Sequence, residues 1–279
     1  MMNSETLSYA EAVSYLGFCS GLRPERYIEN YVASGELSRV SRRRLVSKVS
    51  LDALSSQRNY ALITDFTHDD YRRCLEFAIS SFYHYRSHAD LLVGGRQRGV
   101  GEWAEDFVPG KLAEIGFSKF VGQKFGVELV LDFSLRPQAV VGQDVTEVVR
   151  KVRGRSIANP PKQRISVKQT QTKGVWLVVT PTEVTDPQRV SDVYVLVRVD
   201  LTPNHLIRYF RSHPELEAVR EHIPEALHIE AWIVGFAYKD ELQRMEAIPE
   251  IRANAPRYAL RAGQLHKSPD EWEQLVSSL

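Results

Sequence analysis

The chain has 279 residues, of which 43% are hydrophobic and 25% are charged, and these values are ordinary for a globular protein. Its two cysteines exclude a disulfide framework. Its formal net charge is only +1, so any contact with nucleic acid must depend on locally clustered charge. The N-terminal residues lack a secretory signal, and no apolar stretch is long enough to span a bilayer. We therefore expect a cytoplasmic protein with no membrane partner.

The N-terminal part of the chain predicts two short helices followed by a basic hairpin. Residues 8–16 have a capping-box start and an apolar stripe, and a second helix begins near Pro24. Residues 37–49 predict a two-stranded wing. Its basic residues favour contact with phosphates, and the alternative is a solvated charged hairpin. These basic residues are Arg39, Arg42, Arg43, Arg44 and Lys48.

The order helix, turn, helix and basic hairpin resembles the winged helix of MerR-like and excisionase-like proteins. Two segments carry the resemblance, YAEAVSYLG at residues 9–17 and SGEL at residues 34–37. The resemblance implies a small winged helix-turn-helix domain in which a helix enters a DNA groove and the hairpin lies along the backbone. We place this DNA-binding domain at residues 1–58 and a second domain at residues 59–279.

The second domain begins with helices and continues with strands. Residues 55–66 are interpreted as a connector, and a helix starts at Thr67. A further helix is interrupted or restarted at Pro109 and runs to about Gly122. Seven short, β-branched segments bounded by turn residues follow. Helices before and after such a block of strands predict an α+β fold.

Glu114 is the first candidate for a functional acid. The apolar residues from Leu112 to Val121 surround the predicted helix on all sides, which indicates a buried helix. A carboxylate in such a helix needs a cation or a hydrogen-bond donor as partner. Glu114 is therefore either a functional acid or one half of a structural salt bridge.

Asp144 and Lys168 are the next candidates. Asp144 lies at a turn within a strand pair, and Lys168 lies mid-strand with Ile165 and Val167 on the opposite face. A lysine in a buried strand is uncommon unless it is paired or functional. Asp132 is a rival for the role of Asp144, although it is further from Lys168 along the chain.

An acid on a helix, an acid at a strand turn and x-Val-Lys on the next strand resemble, in that order, the core of the PD-(D/E)XK nucleases. The resemblance covers about residues 105–200 and implies an α/β sandwich with a central mixed sheet. It also implies Mg²⁺ held by Asp144 and Glu114, with Lys168 assisting the attacking water. Carboxylate oxygens are ligands that Mg²⁺ prefers, and the bound ion lowers the pKa of a water.

Ser166 departs from the pattern of this family. It stands two residues before Lys168, where these nucleases usually have Asp or Glu. Some restriction endonucleases of the family have serine there and recruit a glutamate from elsewhere, and Glu183 is the candidate here. The alternatives are that Glu183 is an ordinary surface acid or that the site is degraded and inactive.

A second basic cluster lies in the proline-containing segment between Asp144 and Lys168. We interpret this segment as a loop that flanks the DNA backbone, and the alternative is a plain solvated loop. The basic residues of the segment are Lys151, Arg153, Arg155, Lys162 and Arg164.

The two domains together predict a Mg²⁺-dependent, sequence-specific double-strand DNA endonuclease, a type II restriction enzyme. Palindromic targets favour a homodimer, because the symmetry of the protein mirrors that of the site. The glycines at 94–101 lack the context of a phosphate loop, so no nucleotide cofactor is expected. The alternatives are a DNA-binding regulator whose second domain dimerises or senses a ligand, and a repair or transposition nuclease.

Overall fold

The fold is α+β and contains a mixed sheet. None of the helices within the described residues has the length and apolar character needed to cross a membrane. The strands at 5–8, 37–41, 44–47, 92–93 and 96–97 are described by their backbone only. The computed structural model describes residues 5–8, 37–41, 44–47, 56, 58–84, 92–93, 96–97, 99–135, 143–202, 205–209, 227–248 and 255–279.

The central sheet contains, in spatial order, β10 (Ile165–Thr170), β12 (Val193–Leu201), β13 (Ile229–Tyr238) and β4 (Ala61–Ile63). Strands β10 and β12 are parallel, whereas β13 is antiparallel to both of its neighbours. The prediction of a connector at residues 55–66 is therefore wrong for β4. Three residues are too few to show a strand alternation, and β4 is defined by its pairing with β13.

Three helices pack with the core on one face of this sheet: α1 (His68–His84), α2 (Val100–Phe125) and α5 (Pro269–Ser278). Helix α2 lies directly against β13. A Cβ atom at Gly116 would come within 2.8 Å of the Cβ atom of Ala231, so this close approach requires glycine.

Helix α2 is continuous through Pro109, and the predicted interruption is wrong. Proline in a helix interior costs about 3 kcal/mol because it removes a hydrogen bond and crowds the preceding turn. Burial of the following turns outweighs this cost, since every residue from Lys111 to Phe117 is buried. The prediction of a helix that is buried on all sides is confirmed for these residues.

A second sheet covers the other face. It contains β11 (Trp176–Val179), β15 (Arg257–Arg261) and β14 (Gln243–Met245), all antiparallel. Tyr194 and Leu196 of β12 pack in its core, whereas the residues that alternate with them face the helices. Strand β11 follows β10 in the chain but pairs with β15, so the two strands belong to different sheets.

A third antiparallel sheet contains β7 (Glu128–Leu131), β8 (Val145–Val152) and β9 (Arg155–Asn159). The segment interpreted as a proline-containing loop is therefore partly a β-hairpin. Short elements complete the described chain: α3 (Pro181–Thr185), α4 (His205–Tyr209), the two-residue strands β5 (Leu92–Val93) and β6 (Arg96–Gln97), and the 3₁₀ turns Lys239–Glu241 and Ala262–Gln264.

The N-terminal sheet contains β1 (Glu5–Ser8), β3 (Arg44–Ser47) and β2 (Leu37–Ser41), in that order and antiparallel. The hairpin predicted within residues 37–49 is confirmed and has a third strand beside it. The two helices predicted between β1 and β2 lie outside the described residues.

The proposed boundary between residues 58 and 59 lies in a segment that is tied to the central sheet. Arg198 of β12 is buried and donates hydrogen bonds to the carbonyl oxygen of Ser56 and to the side-chain oxygen of Asn59. A single side chain of β12 therefore holds residues from both sides of that boundary.

Candidate active site

Asp144 lies where three strands meet. Its backbone N–H donates to the carbonyl oxygen of Ile165 at 3.1 Å, and its carbonyl accepts from the N–H of Asp132 at 3.0 Å. Its carboxylate accepts from the N–H of Val167 at 2.6 Å and is buried. These bonds hold the carboxylate beside the middle of β10, the strand that contains Lys168.

Lys168 lies on the face of β10 opposite to the buried side chains of Ile165 and Val167, as the alternation predicts. Its ammonium group donates to the carboxylate of Glu183. Burial alone would lower the pKa of Lys168, but the carboxylates of Glu183 and Asp144 outweigh that effect and hold the pKa above its ordinary value. Lys168 is therefore a fixed positive charge in the site.

Glu183 reaches Lys168 because of how helix α3 begins. One carboxylate oxygen of Glu183 accepts from the N–H of Thr180 at 3.0 Å and from its hydroxyl at 2.7 Å, forming a capping box, and the other oxygen contacts Lys168. Burial would raise the pKa of Glu183, but Lys168 and Thr180 lower it below its ordinary value. Glu183 therefore lies beside Lys168, as expected of a candidate third acid. The start of helix α3 holds it there.

Glu114 is buried in α2 and forms an ion pair with a lysine that the sequence reasoning missed. The Lys111 ammonium lies 2.8 Å from the Glu114 carboxylate and 2.8 Å from the carbonyl oxygen of Asp132. Burial and the Asp144 carboxylate raise the pKa of Glu114 to about 8, although Lys111 acts in the opposite direction. Glu114 therefore has a salt-bridge partner and also lies in the field of Asp144.

Lys111 could have been found from its spacing. It lies three residues before Glu114 on the same buried helix, and residues at this spacing are neighbours on a helix surface. Its own pKa is raised, because the carboxylates of Glu114 and Asp144 outweigh the effect of burial. Lys111, Glu114, Asp144 and Lys168 therefore form one cluster of interacting charges.

Asp132, the rival of Asp144, lies next to it but has a different role in the fold. Its carboxylate accepts from the N–H and the hydroxyl of Ser134, at 2.9 and 2.6 Å. Its negative charge acts on Glu114 and Lys111, and the charge of Asp144 acts on these two groups and also on Lys168. Asp144 is the acid that connects the helix with the lysine strand.

The acids fit a hard cation by their chemistry. Within the part of the chain that the structure describes, no three His, Cys, Asp or Glu side chains are grouped as a metal-binding cluster. Burial and, after it, repulsion from the Asp144 carboxylate nevertheless raise the pKa of Glu114, so the two acids lie near enough to act on each other. A divalent cation would relieve that repulsion, and carboxylate oxygens are its preferred ligands.

Ser166 lies half-buried on β10, on the same face as Lys168. It occupies the strand position where the family has an acid, but it supplies no carboxylate.

The remaining predicted site residues are basic. Arg153, Arg155 and Lys162 are exposed.

Arg164 is held by the protein itself, since its guanidinium donates to the carbonyl oxygens of Pro187 at 2.8 Å and of Gln188 at 2.6 Å. Among the basic residues of the N-terminal hairpin, Arg39 lies in β2 and Arg44 in β3. Arg42, Arg43 and Lys48 lie outside the described residues.

Comparison of the chain with protein-family models, with curated proteins and with solved structures finds no match. The function is therefore inferred from the geometry and chemistry of the site itself.

Proposed function

We propose that the protein is a Mg²⁺-dependent endonuclease of the PD-(D/E)XK type that hydrolyses double-stranded DNA. One observation carries the proposal. The Asp144 carboxylate accepts a hydrogen bond from Val167, next to Lys168 on the strand, and its charge also acts on Glu114 of the helix, so three groups that are distant in sequence lie near one another. A helix acid, a strand acid and a strand lysine are the groups that phosphodiester hydrolysis with a divalent ion requires.

Glu114 and Asp144 would hold Mg²⁺, with Glu183 as the third acid in place of Ser166. When bound, the ion supplies positive charge against the scissile phosphate and lowers the pKa of a water. Asp144 is already fixed for this role by its hydrogen bond from Val167. Glu183 contacts the Lys168 ammonium and is oriented by Thr180.

Lys168 remains protonated and acts as a fixed cation. Its ammonium can orient the attacking water or stabilise the charge that develops on the phosphoryl oxygens, which is the use of preorganised donors in phosphoryl chemistry. Glu183 holds the ammonium in position. Because this ion pair is partly buried, it is less screened by salt than a surface pair.

The DNA would be held by the basic residues of the N-terminal hairpin and by those between Asp144 and Lys168. The hairpin of β2 and β3 resembles a wing, and we propose that residues 1–58 form a winged helix-turn-helix domain. We further propose a cytoplasmic homodimer that acts as a type II restriction enzyme, since palindromic sites pair with two-fold symmetric proteins. Its substrate would be bound without a nucleotide cofactor.

A non-enzymatic DNA-binding regulator is the second candidate. One observation favours it: Glu114 and Glu183 already have protein cations as partners, Lys111 and Lys168. An electrostatically satisfied cluster can be purely structural. The two candidates differ in whether DNA is cleaved.

Cleavage of bacteriophage DNA in Mg²⁺ distinguishes these functions, with EDTA as the metal-free control. A restriction enzyme gives discrete fragments, a nonspecific nuclease gives a smear, and a regulator leaves the DNA intact. Lys168→Met should remove cleavage because it removes the fixed cation. Lys173→Met, an exposed lysine in the turn after the same strand, should cleave as the wild type does.

A further inference from the structure

The hairpin formed by β8 and β9 extends from the body of the protein. Val148 is buried in the main core, whereas every residue from Lys151 to Pro160 is exposed. The turn at its tip is made by Arg153 and Gly154, whose φ angles are 49° and 77°. Two consecutive residues with positive φ are typical of a tight two-residue turn that matches the twist of the strands. The hairpin is thus a regular β-ribbon whose end is open to solvent.

One face of this ribbon is apolar and basic. Arg150 lies opposite Ile157, and Val152 lies opposite Arg155, so all four side chains share the face that is continuous with buried Val148. Val152 is 47% exposed and Ile157 is 43% exposed, among the most exposed large hydrophobic residues in the described chain. The face that is core at the base therefore leaves these two side chains nearly half uncovered at the tip, within the part of the chain that the structure describes.

The charge around the hairpin indicates which partner covers this face. Between Glu147 and Glu183 the chain has eight lysines and arginines and no acid, although the whole protein has a net charge of only +1. A second copy of the chain would bring two such segments together and would be repelled. A polyanion is attracted by the same charge.

The dimensions of the ribbon fit double-stranded DNA. The DNA major groove is about 12 Å wide and admits a two-stranded β-ribbon, whereas the deep, narrow major groove of an RNA duplex does not. Apolar side chains in that groove contact the methyl group of thymine, and basic side chains contact phosphates or guanine.

We propose that the β8–β9 hairpin (residues 145–159) enters the DNA groove and determines specificity, with Val152 and Ile157 on the base edges and Arg153 and Arg155 on the phosphates. This inference rests on the proposed nuclease function. Strand β8 begins directly after Asp144, so the catalytic acid and the recognition element lie on one continuous segment. The position of the base contacts is thereby fixed relative to the bond that is cleaved.

Binding of a labelled 30-bp mixed-sequence DNA duplex to the full chain, measured by fluorescence anisotropy in EDTA at several salt concentrations, tests this proposal without cleavage. The double variant Arg153→Ala/Arg155→Ala should lower the slope of log affinity against log salt by about two, since each phosphate contact contributes about one. The matched control is Arg244→Ala, an exposed arginine on β14 that pairs with Glu246. Its slope should equal that of the wild type.

A second double variant separates base contacts from phosphate contacts. Val152→Thr/Ile157→Thr keeps β-branched side chains and all charges, so the salt slope should not change. Burying the exposed two-fifths of Ile157 corresponds to a factor of roughly three to nine in affinity, and the duplex affinity should fall by about that factor or more. Melting temperatures equal to that of the wild type show that the folded state is retained.

Three results would overturn the proposal. If both double variants bind DNA as the wild type does, the hairpin is not a DNA contact, and the nuclease proposal stands on its active site alone. If the threonine variant changes the oligomeric state in light scattering but not the DNA affinity, the face is a contact between copies of the chain. If the wild type does not bind duplex DNA at all, the hairpin proposal and the nuclease proposal both fail.

Discussion

Replacing Glu114 with glutamine is expected to remove a loss of stability that the wild type undergoes as the pH rises. Glu114 is buried, and burial together with the Asp144 carboxylate raises its pKa from 4.5 to about 8. A carboxyl group with a higher pKa in the folded than in the unfolded chain binds more protons when folded, in the pH range between the two values. The free energy of unfolding therefore falls as the pH rises through that range.

The size of the effect follows from the shift. One pKa unit corresponds to about 1.4 kcal/mol, so between pH 5.5 and 7.5 the Glu114 carboxyl lowers the free energy of unfolding by about 2–3 kcal/mol. Glutamine has no proton to lose and keeps an oxygen for the Lys111 ammonium. The difference in stability between Glu114→Gln and the wild type should therefore grow by that amount over these two pH units.

Urea denaturation in EDTA at pH 5.5 and 7.5 measures this difference. The matched control is Glu147→Gln, which removes an exposed acid on β8 and should follow the wild type at both pH values. Equal pH dependence in Glu114→Gln and the wild type would refute the reasoning, because it would mean that Glu114 is not a strained, partly neutralised acid of the site.

Two further predictions concern the third acid and the C-terminal helix. Glu183→Ala should lose cleavage in Mg²⁺, and adding Ser166→Glu should partly restore it; full cleavage by Glu183→Ala would exclude Glu183 as a ligand. His266 lies 2.7 Å from the carboxylates of both Glu241 and Glu271. Burial would lower the pKa of His266, but these carboxylates outweigh burial and raise it. The protonated imidazole therefore contributes its full stabilisation below pH 6.5, and this stabilisation is lost as the pH rises through the raised pKa. His266→Asn should lower the free energy of unfolding by about 1–2 kcal/mol at pH 6, a modest loss because solvent screens the partly exposed ion pairs. The loss should be smaller at pH 9, where the imidazole is neutral. Urea denaturation measures both values, and an equal loss at the two pH values would contradict this explanation.

Local sequence patterns were sufficient to predict the strand and the helix that contain the candidate site residues. The alternation in ISVKQT predicts both the strand and the face on which Lys168 lies, because successive side chains of a strand point to opposite faces. The apolar residues on all sides of Glu114 predict a buried helix, because such a helix has no face suited to solvent. These features depend on neighbouring residues alone.

Features that depend on pairing between distant segments could not be predicted. Strand β11 is as apolar as β10, and nothing in its own residues shows that it pairs with β15 in a different sheet. Glu183 has the spacing of a helix cap, but its contact with Lys168 depends on where helix α3 packs. Lys111 was missed because lysine is seldom buried, and only the nearby acids make its burial favourable.

The most direct test of the proposed active site is the rate at which Asp144→Asn cleaves supercoiled plasmid DNA in Mg²⁺, measured at protein concentrations that saturate DNA binding. Asparagine keeps the size of the side chain and an oxygen for the N–H of Val167 but removes the charge that acts on Glu114 and Lys168. We expect DNA binding to persist and the cleavage rate to fall at least about a hundred-fold. Cleavage by Asp144→Asn at the wild-type rate would contradict the assignment of Asp144 as the central acid of a nuclease site.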